Sequence, residues 1–166
     1  MAPSSSQEIA VLFPLVISLV TTLATIVVHV SASAAIAYFL LEEYRWRRAG
    51  MRFWRDVAII AGSTLLALIA HLVEITIWAL ALDSSGEFAH FATAFYHSAM
   101  NYSSLGYGDI VMSNSWKLIG PLEAANGMLM FGISTAMIFT VMQLLFQTRV
   151  AAVAELHADF RTDRRL

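Results

Sequence analysis

Apolar positions along this chain neither alternate nor form a narrow helical stripe; they run on without a break. Three stretches, about 9–41, 57–82 and 119–147, are almost wholly apolar. Each is longer than the ~20 residues that cross a hydrocarbon core of ~30 Å, so each predicts a transmembrane helix. The first is too long to stand upright and must tilt or project beyond the bilayer. A fourth segment, 88–103, is shorter and wetter, carrying His90, Thr93, His97, Ser98 and Asn101. It cannot span, and its place between two spans predicts a re-entrant helix. Ala89, Ala92, Ala94 and Ala99 favour helix there, and no glycine interrupts the segment before Gly106.

Composition agrees. The chain is 58% hydrophobic and 13% charged, against about 45–50% and about 25% in soluble domains. Its mean hydropathy is +0.68. A net charge of −2 offers nothing to nucleic acid, and the absence of cysteine excludes disulfides and thiolate metal sites. Residues 1–8 carry no Lys or Arg, and the apolar run behind them is too long for a secretory leader, so it reads as a membrane anchor. Charge also orients the spans. Arg45, Arg47, Arg48, Arg52 and Arg55 crowd the first connector, and Arg149, Arg161, Arg164 and Arg165 the tail, while the loop 83–87 has no base. The positive-inside rule then puts the N-terminus outside and the C-terminus in the cytoplasm, in a multi-pass cell-membrane protein.

The chemistry lies after the re-entrant helix, in Ser103-Ser104-Leu105-Gly106-Tyr107-Gly108-Asp109. Irregular backbone at membrane depth is tolerated only when buried in protein or lining a watery path. Glycines on both sides of Tyr107 open backbone conformations closed to other residues. Successive carbonyls can then face one axis, where a ring of them replaces the water around a cation. One chain supplies a quarter of such a ring, which predicts a homotetramer with cyclic symmetry.

At these residues the sequence resembles the potassium-channel pore family, whose filter reads Thr-Val-Gly-Tyr-Gly-Asp. The resemblance covers roughly 57–147: outer helix 57–82, pore helix 88–103, filter 104–108 and inner helix 119–147. It implies potassium coordination by the backbone carbonyls of Ser104, Leu105, Gly106 and Tyr107, with the Ser104 hydroxyl as innermost ligand. Gly108 and Asp109 would support the filter. Leu105 replaces Val and keeps an apolar side chain expected to point outward into the pore helix; Ser104 replaces Thr and lacks the methyl that stiffens its rotamer. The remainder is similar to small bacterial channels with an extra leading helix, here 1–41. Gly132 falls where the family places an inner-helix gating hinge, although close packing beside Ser134 and Ala136 explains it equally well. Gly127 reads as packing. The family's Asp brace, a Trp seven residues or a Glu four residues before the filter hydroxyl, falls here on His97 and Met100. His97 is therefore expected to donate to Asp109, with packing alone as the rival. The carboxylate would favour imidazolium, so acid would strengthen the brace.

Other polar residues read more plainly. His71 and Glu74, three apart on the second span, are too few for a metal site and predict a hydrogen-bonded pair behind the pore helix. Glu123 is expected by its position to serve the same network, and His29 reads as a packing hydrogen bond. The connector 42–56 mixes arginine with Trp46 and Trp54, and Glu42, Glu43 and Asp56 interrupt the bases. That argues against a voltage sensor and for an interfacial helix whose Arg45, Arg48, Arg52 and Arg55 meet anionic headgroups. The tail 148–166 is a short helical candidate. No nucleophile–base pairing suggests an enzyme and no organic cofactor is implied. The expectation is an all-α membrane protein with three spans and a pore helix, conducting K+ passively. The rivals are a weakly selective cation channel and a non-conducting assembly subunit.

Overall fold

The computed structural model describes residues 5–45 and 53–163. Among the described residues the chain is all-α: α1 (Ser5–Arg45), α2 (Phe53–Ser84), α3 (Phe91–Tyr102) and α4 (Ile119–Asp163). Three helices contain stretches long and apolar enough to cross a membrane, Val11–Glu42, Phe53–Ser84 and Ile119–Ala154. The short α3 is not among them. α4 continues past 147 to Asp163, so span and tail are one helix. Arg48, Arg52 and Trp46, assigned to the interfacial connector, lie outside the described residues.

The chain divides into two units, 1–31 with 69–133, and 32–68 with 134–166. In the first, α1 turns its polar side inward. Ser18, Thr21, Thr25 and His29, spaced three or four apart on one face, are all buried. Leu12, Leu19, Val20, Leu23, Val27 and Val30 remain exposed. Water would penalise that arrangement heavily, whereas lipid tails satisfy it. Two of these buried hydroxyls are met within the helix: Thr21 and Thr25 donate to the carbonyls of Ile17 and Thr22, each at 2.8 Å, whereas Ser18 Oγ has no hydrogen-bond partner among the described residues. Asn126 of α4 donates to Thr25 at 2.9 Å. The apolar core of this unit gathers Ile75, Trp78 and Leu82 of α2, Ala94 and Tyr102 of α3, and Ile119 and Met130 of α4, with Met112 from the loop between.

In the second unit, Ile36 and Leu40 of α1 pack with Val141 and Leu145 of α4. Asp56 and Arg149 form an ion pair at 2.5 Å, and the guanidinium lies 5.9 Å from the centre of the Phe53 ring. Arg55, a proposed lipid contact, is partly buried here.

Two glycines of α4 contrast. A Cβ on Gly127 would stand 2.0 Å from the Tyr102 carbonyl oxygen, so α4 and α3 meet backbone to backbone. A Cβ on Gly132 would meet nothing within 4 Å. Gly127→Ala should therefore cost about 3 kcal/mol, the upper end for overpacking, and lower the unfolding temperature in detergent. Gly132→Ala should instead gain about 1 kcal/mol of helix propensity. Equal shifts in the two thermal scans would refute the contact.

Candidate functional site

The site is built on α3. Its start, His90, has extended backbone and no side-chain cap. Its end is better secured. Ser103 closes the helix with φ −77° and ψ −1°. Ser104 follows at φ +58°, donating its N–H to Asn101 at 2.8 Å, and Leu105 donates to Met100 at 3.0 Å. That pair of bonds is a Schellman motif, with serine in the left-handed position usually held by glycine. A non-glycine residue is uncommon there and costs of order 1 kcal/mol or more. Gly106 donates to the same Met100 carbonyl at 3.2 Å. The first amides of 104–106 are thus spent on capping α3, whose carbonyl end carries partial negative charge.

Positive φ recurs at every second residue: Ser104 +58°, Gly106 +53° and Gly108 +78°. Leu105 and Tyr107 between them are not in that region. The segment's large side chains are uncovered in a single chain, Leu105 at 66% and Tyr107 at 74% exposed. Leu105, expected against the pore helix, is not covered by its own chain. Met100, Asn101, Tyr96 and His97 line the space behind 106–109.

The Asp109 brace differs from the expectation. Tyr96, one residue before His97, donates its hydroxyl to Asp109 Oδ2 at 2.9 Å, and Asp109 Oδ1 accepts the Ile110 amide at 3.1 Å. This bond pushes the Tyr96 phenol above its ordinary value, so it keeps its proton through the neutral range. His97 faces elsewhere. Asn101 Nδ2 donates to its Nε2 at 2.8 Å, its ring also bonds the Ile110 backbone, and the Phe88 ring lies 5.1 Å away. The helical register explains the exchange: adjacent residues point about 100° apart, and Tyr96 rather than His97 reaches the Asp109 carboxylate. The expected titration also reverses. Burial depresses His97 below its ordinary value, outweighing the Ile110 carbonyl, Asp109 and Glu87, which act the other way.

Three further polar links hold α3. Ser98 donates to the Ile75 carbonyl at 3.0 Å and also bonds the Glu123 carboxyl. Tyr102 donates to Glu74, and His29 Nδ1 lies 2.8 Å from the other oxygen of the same carboxylate. Outside the helix, Glu87 clasps both the amide and the hydroxyl of Ser113, the latter at 3.0 Å. Sequence reasoning placed His71 and Glu74 together but missed Tyr102 as their link to α3. It also missed Tyr96; the signal available was a phenol beside the expected brace position.

Residues 65–144 match a family model described as "Ion channel". The match contains most of α2, all of α3 and the segment after it, and α4 as far as Leu144, while α1 lies outside it. No curated protein and no solved structure matches the chain. The family match supports ion-channel function for this multi-pass membrane protein.

Two outcomes follow. Tyr96→Phe deletes the proton that holds Asp109, and ion flux from proteoliposomes should decay several-fold faster than wild type; unchanged decay would show that the brace is idle. For His97, a depressed value means that the released imidazole takes its proton first. Below about pH 6.5 acid should therefore destabilise the folded state. Melting temperatures from pH 7.5 to 5 should fall less in His97→Gln than in wild type; an acid-strengthened wild type would reverse the assignment.

Proposed function

We propose that this chain is one subunit of a potassium-selective channel, in which four copies surround a pore and the carbonyls of Ser104, Leu105, Gly106 and Tyr107 coordinate K+. The observation that carries this reading is the alternation of positive φ at Ser104, Gly106 and Gly108 in an uncovered segment directly after α3. Alternating handedness lets successive carbonyls share one side, which a helix also does but a strand does not. Such a row can replace a hydration shell. Side chains of Leu105 and Tyr107 left bare in one chain call for neighbouring copies to cover them. The family match over the same segment supports conduction.

Other parts of the proposal rest on the sequence. The N-terminus faces outside and the C-terminus the cytoplasm. Arg45, Arg48, Arg52 and Arg55 meet anionic headgroups. Gly132 serves as a hinge: it is uncovered in its own chain, and the division between the two units crosses α4 one residue after it, between Ile133 and Ser134.

Flux from proteoliposomes with K+ or Na+ inside tests the reading. K+ should pass at least about a hundredfold faster, as a carbonyl filter requires. Equal fluxes would instead identify a weakly selective cation channel, and no flux a non-conducting subunit. Gly106→Ala should abolish K+ flux, because its φ of +53° is strained for any side chain. Retained selective flux in that variant would sink the filter assignment.

A further inference from the structure

Behind α3 lies a cluster that ion permeation does not use. His29 Nδ1 of α1 stands 2.8 Å from Glu74 Oε1 of α2. His71 Nδ1 stands 3.4 Å from Glu74 Oε2 and 3.1 Å from the Tyr102 hydroxyl oxygen, which itself bonds Glu74. One ligand atom from each of His29, His71 and Glu74 falls within 4.8 Å of the others. Exposure is 2% for His29, 5% for His71 and 0% for Glu74. We propose that this cluster is a binding site for a divalent transition-metal ion of the zinc class, held by His29, His71 and Glu74 with the Tyr102 oxygen in the fourth position.

The donor set selects the ion. Two imidazole nitrogens and a carboxylate suit zinc and its neighbours, whereas potassium, calcium and magnesium take oxygen ligands. The spacing fits as well. Ligands at about 2.0–2.1 Å from a tetrahedral ion are about 3.3 Å apart; the donor separations of 2.8, 3.1 and 3.4 Å bracket that value, and the ligand atoms of His29, His71 and Glu74 all lie within 4.8 Å of one another. Charge supplies the reason. A carboxylate wholly enclosed in a membrane-spanning helix is costly unless a cation offsets it. Two neutral imidazoles, the carboxylate and a Tyr102 phenolate around a dication sum to zero. The sequence offered only His71 and Glu74; the fold adds a ligand from α1 and an oxygen from the last residue of α3. A bound ion would fasten the leading helix to the residue two positions before Ser104.

The test reads metal content, independently of K+ selectivity. Tag-free channel purified in detergent without chelator, then incubated with Zn2+ and desalted, should carry roughly one zinc per chain. His29→Ala and His71→Ala should each lower that content at least tenfold at an unchanged elution volume. Co2+ in place of Zn2+ should give the intense visible bands of a tetrahedral site. Wild type with no retained metal overturns the proposal and leaves the cluster as a network of shared protons, as does retention equal to wild type in the His29→Ala channel. Should the variants aggregate, the wild-type Co2+ spectrum decides, since absent or weak octahedral bands also overturn it.

Discussion

Backbone that leaves the helical ladder has nowhere to turn in an apolar surrounding, and residues 103–109 leave it. Their polar groups must be met by protein or by a permeating path. The chain meets the amide side by folding it back. Ser104, Leu105 and Gly106 return their N–H groups to α3 carbonyls, and Asp109 at the far end is held by Tyr96. Both anchors come from the same short helix. The segment is therefore only as well placed as α3 is, and further polar contacts reach α3 from α2 and α4.

Two neighbouring helices supply these contacts. α2 offers the Ile75 carbonyl to Ser98 and the Glu74 carboxylate to Tyr102; α4 offers Glu123. α1 does not touch α3 through these bonds but backs Glu74 through His29 and meets α4 through Thr25 and Asn126. Apolar packing alone discriminates poorly among helix registers when lipid is as apolar as the core. Buried hydrogen bonds between named partners fix the register instead, because a slip of one residue leaves several polar atoms unmet.

Much of this was legible in the sequence. Run length separated the three long apolar helices from the short α3, and Gly106-Tyr107-Gly108-Asp109 marked the segment after it. The pairing of His71 with Glu74 followed from i, i+3 spacing. What stayed hidden needed rotation about helix axes. Whether Tyr96 or His97 faces Asp109 depends on a turn of about 100°, and counting residues back from Ser104 does not set that phase. His29 was expected to make a packing hydrogen bond and does, but its partner Glu74 was hidden, though Ser18, Thr21, Thr25 and His29 together do carry a period and mark the inward face of α1. The left-handed Ser104 was also not foreseeable, because only the two capping bonds to Asn101 and Met100 reveal why a serine accepts it.

The contact at Gly127 has a mechanical meaning. Where side chains intervene between two helices, their rotamers act as springs, and a displacement of one helix is partly absorbed before the other responds. Between α4 at Gly127 and the Tyr102 carbonyl no side chain intervenes on the glycine's part, and the space is filled by main chain. Covalent geometry there is nearly rigid, so the joint has little slack. Any movement of α4 at this depth is passed to the end of α3, two residues from Ser104, with scarcely any loss of amplitude.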